Sequence, residues 1–309
     1  MIIIQLMGGL GNQLQQYALY RKFMELGADV RLDAAWFTEA SPSAKRDFEL
    51  SLFDGMEYRL CTDAEKKRLT GPALTTVAAK LGRRLFPGNR RIFTESAMYH
   101  PEILDFTDMY LSGYFACEKY YADILPLLRK EIRFKPSADV RNQDMAAQMD
   151  SCESVAIHYR RGDYLEPVNQ ELYGGICTDE YYQAAMDYVK ERVPRAQFFL
   201  FSDDGDFLKS QSPDFVQESV GRGLAPAAGA IDWNTGKDSI YDMYLMSRCK
   251  HIICANSTFS FWGARLMENM DKIMIRPARH RNNLSAPPEV LLPLWSGWTL
   301  IDSGGSILK

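Results

Sequence analysis

The sequence lacks the features that mark zinc proteins, disulfide-linked secreted proteins and membrane-spanning proteins. Six cysteines are scattered through 309 residues without a C-x-x-C motif or a Cys/His cluster, which argues against a zinc site. Met1 runs straight into three isoleucines with no basic leader or cleavage site, so we expect a cytoplasmic protein with reduced thiols. No apolar run approaches the ~18–20 residues of a membrane-spanning helix. We therefore expect at most peripheral contact with the inner face of a membrane.

An excess of positive charge is also missing. The chain carries 36 Lys and Arg against 40 Asp and Glu, a formal net charge of -4. Nucleic-acid binding rests on a basic face that neutralises phosphates, so the composition predicts no nucleic-acid partner. The local exception is a window of five cations without an acid, formed by Lys80, Arg83, Arg84, Arg90 and Arg91. A solvated basic face is the favoured interpretation, and contact with an anionic membrane or a phosphorylated acceptor is the alternative.

The sequence does have enough apolar material for a large core. It is 46% hydrophobic, 12% aromatic and 25% charged, which is the composition of a globular protein. At ~150 residues per domain, the length predicts two domains. The stretch 135–152 turns polar, with Pro136, Asn142 and Asp144 in it, and a regular series of elements begins after it. We therefore predict domains at 1–150 and 151–309.

The first residues predict a strand, a glycine loop, a helix and a second strand. Residues 2–6 form a short apolar run of the kind found in buried parallel strands. After the glycines of 8–11, an apolar face at helical spacing runs through 14–24 with Gly27 as its C-cap, and the next strand is predicted at 28–32. Further helices are predicted at 63–69 and 75–85, and the rest of 41–134 indicates no topology.

The second half alternates strands with helices. Strands are predicted at 154–158, 197–201, 215–220, 251–255 and 272–275, the last being the final strand, and helices at 178–193, 239–249 and 257–270, the first with Thr178 as its N-cap. Strands separated by helices of ~10–15 residues predict right-handed crossovers and a parallel sheet. The chain is therefore predicted to be α/β, with two parallel sheets facing each other across a cleft.

Ligands of open α/β sheets bind at the carboxyl ends of the strands, and the glycine loop 8–13 is the first such place. Its glycines allow close approach of a ligand, and the following helix start offers N–H groups to an anion. As a dinucleotide fingerprint it is defective, because Gly9 and Gly11 are followed by Leu14 where the third glycine belongs. Asp33 lies where a ribose-binding acid would fall. A nicotinamide-dependent Rossmann oxidoreductase and a structural tight turn are therefore both alternatives.

The second place follows the strand at 154–158 and carries His158, Arg160 and Arg161. A guanidinium fork matches phosphate oxygens, stays charged and can stabilise a departing diphosphate. The alternative is a structural ion pair between an arginine and Asp163. Clustering of the arginines with a histidine favours a functional site.

The third place, 202–206, holds three aspartates after a strand. Their carboxylates can accept hydrogen bonds from ribose hydroxyls or from a base edge. Alternatively, Asp204 and Asp206 have the D-x-D spacing with which a metal-dependent GT-A-type glycosyltransferase holds Mn²⁺ or Mg²⁺. An ordinary Asp-Gly turn is the simplest account of Asp206.

The fourth place is the strand-to-helix junction 255–264. Ser257, Thr258 and Ser260 crowd hydroxyls at the positive end of the helix dipole, which makes an anion site. Asn256 or Ser257 can serve as the N-cap. The apolar face of this helix, predicted to lie in the core, consists of Phe259, Trp262, Leu266 and Met270.

Together the four places suggest a nucleotide-diphosphate donor, and here the chain resembles a known family. The segments 8–13 (GGLGNQ), 158–164 (HYRRGDY), 201–204 (FSDD) and 256–264 (NSTFSFWGA) are similar to the ordered motifs of the α-1,2-fucosyltransferases of glycosyltransferase family 11. These motifs span nearly the whole chain. Two departures are mild: Leu14-Gln15 stands where Met-Phe is common, and Phe261-Trp262 where Trp-Trp is common.

The resemblance implies a GT-B-like fold of two facing Rossmann-type domains, with an acceptor-side domain at 1–150 and a GDP-fucose-binding domain at 151–309. It implies inverting transfer of L-fucose from GDP-β-L-fucose to the 2-hydroxyl of a terminal galactose in a glycan. The partners would be GDP-fucose and a galactose-terminated oligosaccharide, with no metal or other cofactor. A non-catalytic module that binds nucleotide or glycan is a further alternative.

The resemblance also implies roles for single residues. Arg160 would hold the β-phosphate and stabilise the leaving GDP with support from Arg161, while His158 and Asp242, the latter in the short segment 240–243, would contact guanine. Further donor contacts are implied for Gly9, Gly11, Asn12, Asp203, Asp204, Asn256, Ser257, Thr258 and Ser260, with Asn12 near the fucose or acceptor and the three hydroxyls on the diphosphate. Independently of the resemblance, the carboxylates just after the arginines, Asp163 and Glu166, are the candidates for a general base. The alternative is an early departure of the leaving group, which needs no strong base.

Overall fold

The computed structural model describes residues 1–39, 46–71, 91–208, 210 and 229–308. The predicted helix at 75–85, the predicted strand at 215–220 and the basic window up to Arg90 lie outside these residues. Arg91, the remaining member of the window, forms an ion pair with Asp108. No disulfide joins the six cysteines, all of which are described.

The chain forms two compact units, Met1–Arg133 and Phe134–Lys309, so the division lies before the boundary predicted at 150. The polar stretch that suggested the boundary contains the helix Val140–Ser151, which packs against the helix Ile240–Arg248 of the second unit. Its inward face is buried through Asn142, Ala146 and Met149. An amphipathic helix with one solvated face, rather than a linker, therefore explains the polar composition.

The first unit contains a four-stranded parallel sheet. Its strands are β1 (Ile2–Gln5), β2 (Val30–Asp33), β4 (Ile92–Thr94) and β5 (Met109–Ser112), and two short strands, β3 (Phe53–Asp54) and β6 (Arg133–Phe134), lie outside it. The order across the sheet is β2-β1-β5-β4. The described helices up to residue 133 are α1 (Leu10–Glu25), α2 (Trp36–Glu39), α3 (Asp63–Thr70) and α4 (Leu125–Glu131). Because β1 pairs on both sides, its three isoleucines are fully buried, as an apolar run without alternation predicts.

The helix α1 begins and ends where the glycines predict. Gly9 is its N-cap residue, and Gly8 before it has φ +80°, with the Asn12 side chain so close that a Cβ would collide with it. At the other end Gly27 has φ +75°, and the N–H groups of Gly27 and Ala28 donate back to carbonyls of the last turn. Glycine at C′ satisfies carbonyls that the helix leaves free.

The second unit contains a six-stranded parallel sheet in which β7 occupies an inner position. Its strands are β7 (Glu153–Tyr159), β8 (Ala196–Ser202), β9 (Ala230–Ile231), β10 (His251–Ile253), β11 (Met274–Pro277) and β12 (Thr299–Ile301). The order is β12-β11-β10-β7-β8-β9. The described helices are α5 (Val140–Ser151), α6 (Pro167–Tyr173), α7 (Asp179–Arg192), α8 (Ile240–Arg248), α9 (Thr258–Leu266) and α10 (Pro288–Leu294). The predicted α/β class with parallel sheets is confirmed.

Short 3-10 turns connect these elements at Leu50–Leu52, Pro101–Asp105, Glu118–Tyr120, Ala122–Ile124, Gly162–Leu165 and Gly236–Ser239. The predicted cap of α7 is confirmed, because the Thr178 hydroxyl accepts from the Tyr181 N–H at 3.2 Å. Besides α5, four described elements of the second unit were not predicted: α6, β9, α10 and β12. Helices of seven residues and strands of two or three residues give little periodicity to detect.

The helix α9 is shorter than predicted, and this corrects one core residue. It ends at Leu266, and Met267 has an extended backbone. Trp262 and Leu266 are buried as expected, but Met270 lies beyond the helix and is 88% exposed. A helical face predicts burial only as far as the helix itself continues.

The core beside β7 joins the sheet to α7. Val155 and Ile157 of β7 pack with Tyr181 and Val189 of α7 and with Ile253 of β10. This packing holds the strands so that the carboxyl ends of β7, β8 and β10 lie side by side at one edge of the sheet. Among the described residues, no helix is long and apolar enough to cross a membrane.

Candidate functional site

Arg160 follows the carboxyl end of β7 and is held between two carboxylates. One amino group donates to Asp163 Oδ1 at 2.5 Å, and the other lies 2.7 Å from Asp203 Oδ2. The guanidinium also lies over the Tyr164 ring, 5.4 Å from its centre. Burial opposes the charge, but Asp203 and Asp163 outweigh it and raise the pKa of Arg160. The predicted ion pair therefore exists, and the guanidinium keeps further N–H donors for an anion.

Asp203, the first residue after β8, fixes the turn that carries Arg160. Its Oδ1 accepts hydrogen bonds from the backbone N–H groups of Arg161 at 2.9 Å and Gly162 at 3.1 Å. A Cβ at Gly162 would collide with this carboxylate, so the turn requires glycine there. The sequence motif contains Gly162, but its role was not predicted. Asp203, predicted as a donor contact, positions the arginine turn in this structure.

Arg161 is paired with the second aspartate of the same segment. Its Nε donates to Asp204 Oδ2 at 3.1 Å, and its guanidinium lies 4.3 Å from the centre of the Phe207 ring. The N–H of Phe207 donates to Asp204 Oδ1 at 2.9 Å, and this bond, with Arg161, lowers the pKa of Asp204. Both carboxylate oxygens of Asp204, one of the two aspartates in the metal-dependent alternative, therefore already accept hydrogen bonds. Among the described residues, no group of three or more His, Cys, Asp or Glu is placed to hold a metal.

His158 lies near the end of β7 as a buried, neutral imidazole. Burial first, and then the charge of Arg160, lower its pKa to about 3. Its ring lies 6.0 Å from that of Phe259 in the first turn of α9, which brings β7 and the start of α9 together. The Nδ1 atom is buried and has no hydrogen-bond partner. A buried nitrogen without a partner is suited to contact a ligand.

The start of α9 uses two of its three predicted hydroxyls within the helix. Ser257 is the N-cap, and its hydroxyl accepts from the Phe259 N–H at 3.4 Å. Ser260 is fully buried and donates to the Ser257 carbonyl at 3.2 Å. Thr258 is half-buried, and no described residue bonds its hydroxyl. Thr258 and the free N–H groups of the first turn are therefore the donors that remain for an anion.

Asn256, predicted as a donor contact, ties together the loops beside this helix. Its Nδ2 donates to the carbonyls of Tyr173 at 3.1 Å and His280 at 3.2 Å, and its Oδ1 accepts from the Cys177 thiol at 3.5 Å. The Tyr164 hydroxyl donates to the Asn256 carbonyl at 3.1 Å. This bond connects the arginine turn to the residue before the α9 cap.

His280 is a candidate site residue that the sequence analysis did not name. It lies beyond the end of β11, its Nδ1 is buried without a partner, and burial, with the charges of Arg276 and Arg281, lowers its pKa to about 3. The rings of Tyr173 and Phe261 flank it at 6.1 and 5.9 Å. The rule that ligands bind after strand ends applies to β11 too and would have pointed to this loop.

Asp242 of α8 is buried beside the same strand ends. Its Oδ1 accepts from Asn234 Nδ2 at 2.9 Å. Burial raises its pKa to about 8, the Asn234 bond opposes this, and the like charge of Asp203 adds to it. The carboxyl is therefore largely protonated at neutral pH in the free protein. Asn234 and its partner Asn142 were not predicted as site residues.

The two candidates for a general base differ in their surroundings. Asp163 is held on the guanidinium of Arg160. Glu166 is exposed at the start of α6, where it is the N-cap residue without a side-chain cap bond. Asp163 is thus ion-paired and Glu166 is exposed to solvent. The role of general base stays a prediction for both.

In the first unit, the start of α1 is already occupied by an acid of the protein. The carboxylate of Glu49 accepts from the Leu10 N–H, while burial first, and then Asp47, raise its pKa. The Glu49 N–H in turn donates to Gln13 Oε1 at 2.8 Å. A phosphate would need this same helix start. The donor contacts expected of the glycine loop at Gly9, Gly11 and Asn12 stay predictions.

Asp33, the acid of the nicotinamide alternative, already has hydrogen-bond and ion-pair partners within the first unit. It is 3% exposed, and it accepts from the Tyr110 hydroxyl at 2.7 Å and the Ala35 N–H at 3.0 Å. Lys66 Nζ lies 2.9 Å from its Oδ2. A ribose would have to displace these partners, so the geometry does not favour a dinucleotide site here.

Comparison with known proteins identifies relatives of this chain. Residues 101–297 match the model of glycosyl transferase family 11. Two proteins of Escherichia coli are similar over most of their length: an alpha-1,2-colitosyltransferase (28% identity over 279 residues, 89% of this chain and 91% of that protein) and the O-antigen biosynthesis glycosyltransferase WbnK (28% over 302 residues, 89% and 93%). Galactoside alpha-(1,2)-fucosyltransferase 1 of Leontopithecus chrysomelas is 26% identical over 162 residues, 48% of this chain and 41% of its own.

Two solved structures show a loose similarity. POFUT1 in complex with GDP superposes with a TM-score of 0.45 and 14% identity over 88% of this chain and 97% of that one. The Escherichia coli heptosyltransferase WaaC with ADP gives a TM-score of 0.39 and 8% identity over 99% and 94%. Both scores are below 0.5, so the fold is described from the two parallel sheets of this chain and not from these structures.

Proposed function

The chain belongs to glycosyl transferase family 11 and is a glycosyltransferase, and on this premise we propose that it transfers L-fucose from GDP-β-L-fucose to the 2-hydroxyl of a terminal galactose in a glycan. Transfer proceeds with inversion at the anomeric carbon. Names of two relatives that specify an alpha-1,2 linkage support the position of the new bond.

The observation that carries this proposal is the fixed guanidinium of Arg160 beside the start of α9. In glycosyl transfer, negative charge grows on the departing diphosphate, so a cation and helix N–H groups that need no rearrangement lower the barrier. Asp163 and Asp203 hold the guanidinium in place. The Tyr164 hydroxyl fixes its turn to the residue before the helix cap.

Other residues of the second unit serve binding in this proposal. Thr258 and the first N–H groups of α9 contact the diphosphate, His158 and Asp242 contact the guanine, and Arg161 supports Arg160. No metal is required, because the arginine and the helix dipole supply the positive charge. The donor therefore binds to the second unit, and the acceptor side is assigned to the first.

Deprotonation of the acceptor hydroxyl needs a carboxylate that is free to take the proton. Asp163 already accepts from Arg160. Glu166 is exposed and has no such bond, so it is the better placed of the two predicted candidates.

A second donor is favoured by one relative. The Escherichia coli protein that is similar over 89% of this chain is named an alpha-1,2-colitosyltransferase. GDP-colitose is therefore a candidate donor for the same site and the same linkage. The arginine turn and the helix start act on the diphosphate, which both donors share.

The test is GDP release by the purified chain with a galactoside and either GDP-fucose or GDP-colitose, with the product linkage read by NMR. Arg160→Ala should lower kcat by at least ~10²-fold, the usual cost of losing one charge-stabilising group. Arg192→Ala, an exposed arginine paired with Glu191 on α7, is the matched control. EDTA should leave the rate unchanged. Full activity of Arg160→Ala would refute its role, and turnover with GDP-colitose alone would refute the fucose donor.

A further inference from the structure

The carboxyl of Asp242 has one oxygen engaged and one without a partner. Asp242 is 8% exposed, and Asn234 donates to its Oδ1. No described residue donates to Oδ2. Once the carboxyl is ionised, Oδ2 is therefore open to an N–H donor of a ligand.

Asn234 is locked in a reciprocal amide pair with Asn142 of α5. Each Nδ2 donates to the Oδ1 of the other at 2.9 Å, and both side chains are buried. A side-chain amide has two N–H donors. Because one N–H of Asn234 goes to Asn142, the other is directed at Asp242.

The direction of every hydrogen bond in this network is set by Trp233. Its indole N–H can only donate, and it donates to Asn142 Oδ1 at 3.0 Å. Asn142 Nδ2 must then face Asn234, and it uses its other N–H on the Ser137 hydroxyl at 3.0 Å. The amide of Asn234 is thereby oriented with its nitrogen toward Asp242. Asp242 can therefore only receive a hydrogen bond from Asn234.

We propose that Asn142 and Asn234 are positioning residues for nucleotide recognition, which present Asp242 as an acceptor for the N–H edge of a guanine base. This inference rests on the proposed use of a GDP-linked donor. The two asparagines touch neither nucleotide nor sugar, and they act through Asp242.

Guanine is the base whose edge fits such an acceptor. It presents adjacent N1–H and N2–H donors, whereas adenine presents an acceptor at N1 and hypoxanthine lacks the 2-amino group. An ionised carboxylate accepts from both guanine donors. The Asn234 N–H donates to Asp242 and so stabilises its ionised form, because a protonated carboxyl oxygen accepts a hydrogen bond less well.

The network also predicts how binding depends on pH. Burial raises the pKa of Asp242 to about 8, and the like charge of Asp203 from the end of β8 acts in the same direction. Guanine takes the ionised form, so binding releases a proton below that pH. Affinity should rise with pH up to about 8 and level off above it. Loss of the Asn234 hydrogen bond, which lowers this pKa, should move the midpoint to higher pH.

The experiment measures dissociation constants of GDP and inosine diphosphate by calorimetry from about pH 6 to about pH 9.5. In Asn234→Ala, GDP affinity near pH 7 should fall by ~10-fold, the equivalent of one pKa unit. The preference for GDP over inosine diphosphate should shrink and the pH midpoint should rise, while kcat changes little. Asn142→Ala should show the same changes to a smaller extent, and Asp242→Asn should lose both the preference and the pH dependence.

Gln143→Ala is the matched control, because Gln143 is exposed and adjacent to Asn142 on α5. The ratio of the two dissociation constants does not depend on the fraction of folded protein. If Asn234→Ala lost affinity equally for GDP and inosine diphosphate and kept the pH midpoint of binding, the role of the asparagines would be merely structural. That result would overturn this inference and leave the proposed function standing. An affinity that falls between pH 6 and pH 8 would also overturn it. If the wild-type protein turned over no GDP-linked sugar, the proposed function would be overturned, and this inference, which rests on it, would fall with it.

Discussion

The helices α1 and α9 each begin just after a parallel strand, one in each unit, but their first turns are satisfied differently. At α1, the carboxylate of Glu49 accepts from the Leu10 N–H. At α9, the cap is the neutral hydroxyl of Ser257. Both helix starts attract an anion through the same dipole. Glu49 supplies an acid at the start of α1, whereas the first turn of α9 contains none.

The side chains at the strand ends beside the two helices also differ in how far protein partners already occupy them. In the second unit, β7 and β8 bring Arg160 and Asp203 to the edge that α9 shares. In the first unit, the acid at the end of β2 is Asp33, which is bound to Tyr110 and Lys66. A strand-helix junction is thus only a potential site, and the side chains that reach it from elsewhere decide its use.

The largest effect is expected at the turn that carries Arg160. Gly162→Ala places a Cβ against the Asp203 carboxylate and must displace Arg160. A misplacement of about 1 Å costs ~10²-fold in rate, so kcat/KM in the GDP-release assay should fall by that factor. Gly205→Ala is the control, because its Cβ would meet only an ordinary contact at 3.8 Å. Equal activity of the two variants would contradict the importance of this turn.

A smaller effect is expected at the start of α9 itself. Thr258→Val removes the hydroxyl without a protein partner, so GDP affinity should fall by about 3- to 10-fold, the worth of one hydrogen bond. Ser260→Ala removes a hydroxyl bonded within the helix. It should lower the free energy of unfolding by about 1 kcal/mol and leave GDP affinity unchanged. Calorimetry and urea unfolding measure the two quantities, and the reverse pattern would exchange the roles of these residues.

The smallest effect is expected at α1. Burial raises the pKa of Glu49, so the folded state holds this proton more tightly than the unfolded state. The free energy of unfolding should therefore fall as the pH rises from about 4 through the raised pKa, and level off above it. Glu49→Gln should remove this fall, by less than about 1 kcal/mol, as urea unfolding against pH can measure. GDP affinity should not change, and a change would place the nucleotide at α1.

Local features of the chain were predictable because they depend on neighbouring residues. The strand-loop-helix opening, the glycine at the end of α1 and the Thr178 cap follow from short-range conformational preferences. The arginines after β7 were recognisable because strand ends bind ligands in α/β sheets. The predicted α/β class is confirmed, with one parallel sheet in each of two units, while the GT-B-like facing arrangement and the cleft stay predictions.

Features that depend on distant partners were not predictable in the same way. The polar stretch before β7 contains a packed helix, because Asn142 finds its partner Asn234 far along the chain. Met270 is exposed, because α9 ends at Leu266 before reaching it. Neither outcome is visible in a window of neighbouring residues.

The order of amino acids is enough to establish the α/β class, the family and the positions of the arginines and hydroxyls that suit a nucleotide-diphosphate donor. Which of these groups remain available for a ligand depends on the fold. In the fold, Asp203 and Asn256 position neighbouring segments, Glu49 caps the start of α1, and Thr258 and the Nδ1 of His158 have no partner among the described residues. The physical reason is that a side chain's hydrogen bonds are completed by whatever folding brings beside it.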